Sequence, residues 1–337
     1  MKILITAIGC PVFNTVHNCI RSLFENIEIY GCDIVQNSNS KMVDNFFIVP
    51  KGNNREYTET ILDNCLKNKI THVIPMSDEE IISIGVNLEK FKKNKIKIFG
   101  ESRIDIINVF NKSSLYNLMQ TQNLNVSPIF RHIKNSNDFF NAFSYFESIN
   151  RKMCVKPNLS HGSRGFAIIE KITYEEYLNS KTIKKITCEQ FLDIIGNKKV
   201  DLVATEYLPG EEYSVDCVMF NENFYCIIRS RDETINGISS KCTIKNIKSL
   251  EVVAREIYEK LKFNYLVNIQ FKRDTNNNFK LLEVNPRIPG GIGFSVLAGV
   301  DLLKMSFSKF FNLKNVNMRS KPEYAKTIEK KWKLIKY

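Results

Sequence analysis

Apolar and polar positions in the first hundred residues alternate between short apolar runs and stretches with helical spacing. The apolar runs predict strands at residues 2–7, 27–32, 46–49, 72–75 and 96–99. The helical stretches place apolar residues three and four positions apart, at residues 15–25, 57–68 and 78–88. Because strands and helices alternate at this spacing, residues 1–105 are predicted to form a Rossmann-like α/β domain with a parallel, doubly wound sheet.

Two segments of this domain follow predicted strands and could bind a ligand. Gly9-Cys10-Pro11 lacks the GxGxxG spacing, so it does not support dinucleotide binding. Residues 75–80 lie at the carboxyl end of a strand, where open α/β sheets bind their ligands. A helix cap with acidic residues in its first turn explains the same segment equally well, and both interpretations stay open.

The pattern beyond residue 105 is mixed α+β, and its most informative part predicts a β-hairpin. Two apolar-rich runs, residues 266–273 and 279–285, are joined by a polar stretch. Because Asn tolerates positive φ, Asn276-Asn277 is expected to form a two-residue primed turn. That turn would pair Phe271 with Leu282, and it sets the register of the whole hairpin.

This register separates an apolar face from a polar face. The apolar face is predicted to hold Ile269, Phe271, Leu282 and Val284, and the polar face to hold Gln270, Glu283 and Asn285. One carboxylate and two amide oxygens suit Mg²⁺, which completes its octahedron with water and phosphate. Arg287, just past the strand, can donate to a phosphoryl oxygen. Taken alone, the polar residues are also typical of an ordinary hairpin with one solvated face.

A second candidate is the loop that follows the strand ending at Lys156. This loop, residues 158–165, leads into another strand at residues 166–169, so it is not a Walker A loop. Its glycines and serines permit close backbone approach to an anion, and Lys156 is a natural phosphate partner. A flexible hairpin tip is the alternative interpretation.

Two further segments carry polar groups near strand ends. The residues around the Pro209-Gly210 turn include Glu206 to Leu208, whose main chain can meet an adenine edge, and Glu212, which can bind ribose hydroxyls. Arg229, Arg231 and Lys241 form a cationic cluster that fits a carboxylate or a transferring phosphoryl group. An ordinary hairpin and a solvated charge run explain these two segments as well.

Taken in chain order, these motifs resemble the ATP-grasp superfamily, in particular the carboxylate–amine ligases of the carbamoyl-phosphate-synthase large-subunit type. The resemblance covers about residues 105–305, and the preceding α/β domain also matches the family's arrangement. It implies an α+β ATP-grasp fold over residues 106–310, in which two subdomains clamp ATP and the glycine-loop subdomain spans about 125–205. Residues 311–337 would follow as a basic C-terminal tail.

The resemblance also implies roles for individual residues. ATP would be bound by Lys112, Lys156, Ser160, Gly162, Ser163, Gly165, Glu206, Tyr207, Leu208 and Glu212. One or two Mg²⁺ ions, with Mn²⁺ as a substitute, would be held by Gln270, Glu283 and Asn285. The phosphoryl group would be stabilised by Arg287, Arg231 and Lys241, and the acceptor carboxylate would be bordered by Arg229, Gly290 and Gly291. The family pattern differs at three positions, where this sequence has Asn111, His161 and Gln270.

The activity implied by the resemblance is ligation of a carboxylate to an amine. Transfer of the ATP γ-phosphoryl group to the carboxylate gives an acyl phosphate, and attack by the amine then releases phosphate beside ADP. Two alternatives keep the nucleotide site. One is a phosphotransferase that acts on a small acid or amide, and the other is a non-catalytic nucleotide-binding sensor.

Charge and composition narrow the range of partners. Lys and Arg exceed Asp and Glu by 48 to 36, a net charge of +12, which would suit a nucleic acid or an anionic membrane. The lysines are scattered and no base-reading motif occurs, so small anionic substrates are expected instead of nucleic acid. No run approaches the ~18 apolar residues of a membrane span, and the nine cysteines show no CxxC or zinc spacing. A cytoplasmic protein is expected, and a homodimer is its commonest assembly.

Overall fold

The computed structural model describes residues 1–101, 105–160, 164–179, 185–235 and 237–331. Within these residues the chain forms three sheets. Among the described helices, none combines the length and the apolar character that crossing a membrane requires.

The first sheet is parallel throughout, as the alternating pattern predicts, with strand order β3-β2-β1-β4-β5. Its elements are β1 (Lys2–Ile5), α1 (Phe13–Leu23), β2 (Glu28–Asp33), a 3₁₀ helix (Ser38–Lys41), β3 (Asn45–Ile48), α2 (Tyr57–Asn68), β4 (His72–Ile74), α3 (Asp78–Val86), α4 (Leu88–Lys93) and β5 (Lys97–Ile98). Ile3, Leu4 and Ile5 of β1 are fully buried, because helices cover both faces of such a sheet.

The second sheet has the order β6-β10-β7-β8-β9. Its region comprises α5 (Ile107–Phe110), α6 (Lys112–Thr121), β6 (Phe130–Ile133), α7 (Ser136–Ser148), β7 (Met153–Pro157), β8 (Ala167–Ile169), α8 (Tyr174–Asn179), β9 (Lys185–Ile186), α9 (Cys188–Ile195) and β10 (Leu202–Glu206). β7 and β8 are antiparallel, as the strand–loop–strand pattern predicts. Phe139 of α7 stacks on Phe191 of α9 at 4.8 Å between ring centroids, which packs the two helices together.

The third sheet has the order β13-β14-β12-β11-β15-β16, and β17 adds to β14. Its region comprises β11 (Glu212–Phe220), β12 (Asn223–Ser230), β13 (Glu233–Ile235), β14 (Ile238–Lys245), α10 (Lys248–Lys260), β15 (Val267–Arg273), β16 (Phe279–Asn285), α11 (Ile292–Leu297), α12 (Leu302–Phe311) and β17 (Thr327–Glu329). Ile269 and Phe271 of β15 are fully buried in a core shared with Ile257 of α10. The opposite face of β15 is thereby left for polar residues.

The turn of the β15–β16 hairpin differs from the prediction. Asp274 and Asn278 close a three-residue loop, in which Asn277 has φ 65°. The Asp274 carboxylate accepts the N–H groups of Asn276 and Asn278, at 2.9 and 2.8 Å. These two contacts stabilise the wider turn over the predicted two-residue turn at Asn276-Asn277.

The wider turn shifts the register by one residue until a bulge restores it. Phe271 pairs with Leu281 and not with Leu282, so the predicted pairing and the predicted place of Leu282 on the apolar face are wrong. Leu281 is the fully buried residue. Beyond the bulge, Gln270 pairs with Glu283 and Asn268 with Asn285, as predicted.

Part of the segment predicted as a basic tail lies against the third sheet. β17 pairs with β14, and Ser320 forms an isolated bridge with Val300. Arg319 donates to the carboxylate of Asp301 at 2.7 Å, which ties this segment to the start of α12. Residues 332–337 lie outside the described residues.

The first sheet packs against α12 through aromatic rings. His72 of β4 lies 5.4 Å from the ring of Phe310 and 5.2 Å from that of Phe311. Phe99 lies 4.9 Å from Phe307. This contact packs the α/β domain against α12. Asp78, which follows β4, also pairs with Arg287, which follows β16.

His72 makes the stability of this contact dependent on pH. Burial, with Lys97 and the N-terminal amine, lowers the pKa of His72 to about 4, whereas an unfolded histidine titrates at about 6.5. The stability that the neutral ring contributes is therefore complete above pH 6.5 and is lost as the pH falls toward 4.

We expect the free energy of unfolding to fall by about 1 kcal/mol between pH 7 and pH 5 because of this ring, after allowance for its partial exposure. His72→Phe keeps the ring packing and should remove that part of the slope. Denaturant unfolding at both pH values measures it. An identical slope in the variant would contradict the assignment.

Candidate functional site

A cavity of about 220 Å³ lies between the second and third sheets. Among the described residues, its wall carries the cations Lys112, Lys156, Arg164, Arg231 and Lys272, and the carboxylates Glu212 and Glu283. Five positive groups against two negative groups leave an excess of positive charge in a partly enclosed space. Such a space favours a ligand with several negative charges.

Lys112 is brought to the cavity by the start of α6. The Asn111 side chain caps this helix by accepting the N–H of Ser114 at 3.0 Å, a role that an Asp at this position would also fill. The Lys112 ammonium donates to the main-chain oxygen of Ser160 at 3.1 Å. Asn158 is the first residue of the loop at residues 158–165, called the glycine loop below, and was not predicted as a site residue. Its side-chain oxygen accepts from the N–H and the hydroxyl of Ser113, which ties the helix start to this loop.

Lys156 reaches the same wall from β7, the central strand of the second sheet. Burial lowers the pKa of Lys156, against the opposing effect of Glu283 and Glu212. Burial likewise lowers the pKa of Lys112, against Glu283 and Asp78. Both ammonium groups are therefore partly stripped of water, which strengthens their attraction to a phosphate.

The glycine loop is described only in part. Gly162 and Ser163, which the resemblance assigns to ATP, and His161 lie outside the described residues. Gly165 has φ +70°, and a Cβ there would lie 2.7 Å from the ring of Pro157, so both conformation and space require glycine. Ser160, Arg164 and Phe166 line the cavity, the last two without having been predicted.

The three residues predicted to meet adenine do not line this cavity. Glu206 is buried, and its carboxylate accepts the N–H of Ile129 at 3.0 Å. The N–H of Tyr207 donates to the oxygen of Lys152 at 2.7 Å, and Leu208 is buried. Their assignment to the adenine stays a prediction.

Glu212 and Arg231 form an ion pair on the wall of the cavity. Arg231 Nε lies 2.6 Å from Glu212 Oε1, and its Nη2 donates to the oxygen of Gly237 at 2.7 Å. Lys241, predicted to act with Arg231, lies outside this wall and 3.5 Å from the exposed carboxylate of Glu233. The structure thus brings Arg231 to the cavity but not Lys241.

The predicted metal ligands lie together on the polar face of the β15–β16 hairpin. Gln270 donates its amide to Asn268 Oδ1 at 3.2 Å, and Asn285 donates to Glu283 Oε1 at 2.9 Å. Asn268 in turn donates to Ser214 Oγ and to Asp216 Oδ1, both at 2.7 Å. Because these contacts occupy the amide nitrogens, the amide oxygens of Gln270 and Asn285 are left to accept from or to ligate another group.

This donor set fits a magnesium ion better than a transition metal. It supplies one carboxylate and two amide oxygens, and Mg²⁺ binds through few carboxylates while keeping water and phosphate oxygens. Within the described residues no cluster of three or more His, Cys, Asp or Glu occurs. A magnesium site that also uses amide, water and phosphate oxygens does not need such a cluster. Gln270 and Glu283 line the cavity, and Asn285 is buried beside them.

Arg229 lies behind the hairpin in a buried polar layer. Its Nη1 lies 2.5 Å from Asp216 Oδ2, and its Nη2 donates to Ser214 Oγ at 3.1 Å. Neither partner was predicted from the sequence, because a polar residue inside an apolar strand does not indicate which neighbour it will contact. Ser295 Oγ also donates to Asp216, at 2.8 Å.

The loop predicted to border the acceptor carboxylate packs directly on this layer. A Cβ at Gly291 would lie 2.5 Å from Arg229 Nη2, so only glycine lets the main chain approach so closely. The oxygen of Gly290 accepts from the Lys330 ammonium at 3.1 Å. Lys330, which sequence analysis placed only in a basic tail, is therefore part of this region.

Arg287 follows β16 and is paired with a residue of the first domain. Its Nε donates to Asp78 Oδ1, its Nη2 to Asp78 Oδ2 at 3.3 Å, and its Nη1 to the oxygen of Ile288 at 3.2 Å. In the segment of residues 75–80, Ser77 and Glu80 form a capping box, which confirms the helix-cap interpretation for those two residues. Asp78 instead faces the arginine.

Two family models match separate parts of the sequence. Residues 3–99 match the PylC-like N-terminal domain, and residues 198–332 match "ATP-grasp in the biosynthetic pathway with Ter operon". No curated protein sequence matches the chain.

Solved structures extend the similarity to nearly the whole chain. N5-carboxyaminoimidazole synthetase from Staphylococcus aureus complexed with ADP has a TM-score of 0.71 at 15% identity, over 95% of this chain and 79% of that one. Biotin carboxylase from Campylobacter jejuni in a β,γ-ATP complex has 0.69 at 13%, over 95% and 73%. The biotin carboxylase domain dimer of Hydrogenobacter thermophilus 2-oxoglutarate carboxylase, with MgADP, ADP and bicarbonate, has 0.68 at 15%, over 95% and 72%.

These matches confirm the fold that the motifs predict, an α/β domain followed by an ATP-grasp fold. Residues 3–99 are thus similar to the PylC-like N-terminal domain, and residues 198–332 are similar to the ATP-grasp family model.

Proposed function

We propose that the protein is an ATP- and Mg²⁺-dependent ligase that activates a carboxylate as an acyl phosphate for attack by an amine. ADP and phosphate are the other products. The observation that carries this proposal is the cavity, in which cations from the second and third sheets face Gln270 and Glu283 of the hairpin. A nucleotide triphosphate with a divalent ion satisfies both the excess of cations and the oxygen ligands.

The known folds support this choice of ligand. Solved structures of similar fold hold ADP, a β,γ-ATP complex, or MgADP with bicarbonate. Because these structures are only 13–15% identical to this chain, they support the fold. The proposed chemistry is therefore argued from this chain's own residues.

The chemical problem is that a carboxylate is a poor electrophile at neutral pH. Phosphoryl transfer from ATP removes that obstacle, and it depends on positioning and charge neutralisation more than on covalent work by the protein. In the proposed site Lys112 and Lys156 hold the phosphates, and Gln270, Glu283 and Asn285 hold Mg²⁺. The ion, when bound, neutralises charge on the phosphate oxygens.

The acceptor acid is proposed to bind beside Gly290 and Gly291. Arg229 supports this placement, because its buried Nε has no hydrogen-bond partner within the described residues. Arg287 and Arg231 then stabilise the phosphoryl group during transfer, and Lys241 stays a candidate for the same role. The acid and the amine are proposed to be small molecules, in a cytoplasmic homodimer like the dimer named for the Hydrogenobacter domain.

A panel of acids and amines, assayed for ADP and phosphate release with product mass determined, tests the proposal. ADP with phosphate and a product joined by an amide bond supports the ligase. ADP without free phosphate would indicate a phosphotransferase. The absence of ADP across the panel would favour a nucleotide-binding sensor.

Glu283→Ala should abolish Mg²⁺-dependent ADP release, because it removes the single carboxylate of the proposed metal ligands. Mn²⁺ binding in the presence of ADP, followed by electron paramagnetic resonance, should weaken in parallel. Glu251→Ala, a carboxylate paired with Lys248 on the surface helix α10, is the control and should behave as the wild type. Normal Mg²⁺-dependent turnover in the Glu283 variant would exclude this metal site.

Arg287→Ala should lower turnover by about 10²–10³-fold, the usual effect of losing one well-aimed donor at a developing charge. The affinity for ATP should change little, because Lys112 and Lys156 still hold the phosphates. Arg255→Ala is the matched control, since Arg255 pairs with Glu259 on an exposed helix. Steady-state kinetics that show near-normal turnover for Arg287→Ala would speak against the role.

Gly291→Ala should raise the KM for the acid substrate and cost about 1–3 kcal/mol of stability, because its Cβ would press on the Arg229 guanidinium. Gly293→Ala is the control, since its Cβ would meet only Thr15 Oγ1 at 3.8 Å. Thermal unfolding and substrate titrations distinguish the two variants. Equal behaviour of both would remove Gly291 from the acceptor loop.

A further inference from the structure

The partner of Arg287 comes from the other domain. Arg287 and Asp78 are 209 residues apart in sequence, yet they form a forked pair at the boundary between the α/β domain and the hairpin. The Asp78 side chain is 4% exposed and that of Arg287 is 20% exposed. Both charges are therefore largely removed from water, and a pair of this kind has a defined geometry.

The described contacts of Arg287 engage three of the N–H donors of its guanidinium. Asp78 accepts from Nε and from Nη2, and Ile288 accepts from Nη1. A guanidinium has five N–H groups, so these three contacts leave one N–H on each terminal nitrogen. Burial opposes the charge, but Asp78 and Glu283 outweigh it and raise the pKa of Arg287. The guanidinium thus stays charged within the electrostatic reach of a proposed metal ligand.

Asp78 itself is held by a rigid helix start. The capping box of Ser77 and Glu80 already occupies the first turn of α3. Glu80 is buried, and its carboxylate also accepts from Thr6 Oγ1 at 2.6 Å and from the N–H of Met76 at 3.2 Å. These contacts fix the first turn of α3 to β1, so the Asp78 carboxylate is presented to Arg287 from a fixed point.

We propose that Asp78 is a positioning residue that holds the Arg287 guanidinium so that its remaining N–H groups meet the phosphoryl group in transfer. The α/β domain thereby contributes to phosphoryl transfer without touching the nucleotide. This inference rests on the proposed function, in which Arg287 stabilises that phosphoryl group. It also gives Asp78, in the segment of residues 75–80, a role that the capping of α3 does not account for.

The test compares Asp78→Ala and Asp78→Asn with Glu79→Ala. Glu79 is the next residue, is exposed, and lies in the same first turn of α3. Its removal therefore takes the same charge from the helix N-terminus without touching Arg287. Asp78→Asn keeps the shape of the side chain, which covers the case in which the alanine variant does not fold.

Two measurements separate positioning from a structural role. The first is calorimetric affinity for Mg·ADP alone and for Mg·ADP with aluminium fluoride, which mimics the transferring phosphoryl group. The second is the split between turnover and the KM for ATP. We expect Asp78→Ala to weaken the fluoride complex and turnover by about 10–100-fold, the effect of a misplaced catalytic group, and to leave ADP affinity and KM within about twofold. Asp78→Asn should fall between, and Glu79→Ala should match the wild type.

A double variant adds a check on the mechanism. If Asp78 acts through Arg287, then Asp78→Ala combined with Arg287→Ala should bind the fluoride complex no more weakly than Arg287→Ala alone. A further loss in the double variant would show that Asp78 acts elsewhere.

Each of the following outcomes would also overturn the inference. Wild-type affinity for the fluoride complex in Asp78→Ala, with only a lower melting temperature, would make the contact merely structural. Faster turnover in Asp78→Ala would make it a latch that withholds Arg287. If Arg287→Ala binds the fluoride complex with wild-type affinity, the proposed role of Arg287 is wrong and this inference fails with it. If Arg287→Ala loses affinity for the fluoride complex but Asp78→Ala does not, only this inference is wrong.

Discussion

The buried ion pair between Asp216 and Arg229 is the interaction on which the organisation of the site depends. Asp216 is fully buried and Arg229 is 2% exposed, so neither charge is stable there without the other. Asp216 also accepts from Asn268 and Ser295, which ties β11, β12, β15 and α11 to one point. Because Asn268 is fixed in this way, its oxygen is directed at Gln270 and Asn285. The Asp216–Arg229 pair therefore orients these two proposed metal ligands through Asn268, without contacting them.

The cavity in front of this buried polar layer differs from it in charge balance. The buried pair is balanced, but the wall of the cavity carries more cations than carboxylates, and burial lowers the pKa values of Lys112 and Lys156. Positive charges that repel one another in a confined space destabilise the protein until an anion joins them. The excess of positive charge therefore favours an anionic ligand, and the hairpin beside the cavity offers the oxygen ligands of the proposed phosphate-bound cation.

Local rules predicted what depends on local geometry. Alternation along β15 and β16 predicted which side chains share a face, and the predicted pairing of Gln270 with Glu283 and of Asn268 with Asn285 is observed because a bulge between Gln270 and Phe271 offsets the wider turn. The turn was predicted wrongly, since a side-chain contact of Asp274 selected a wider loop. Lys241 was grouped with Arg231 by sequence spacing, but β14 carries it to a different neighbour. Closeness in sequence therefore predicted which residues lie close in space along a strand, but not across a bend.

The pairing of Arg287 with Asp78 marks the limit of such rules. The local sequence around either group does not indicate the other. Arg287 simply follows a strand, and Asp78 is one of three acids in the first turn of α3. Their meeting depends on how the two domains pack together, through an apolar core that they share and through the contacts of His72 and Phe99 with α12. The position of the guanidinium is therefore a property of the domain packing, and an ATP-grasp domain separated from its α/β domain would keep the arginine but lose the carboxylate that orients it.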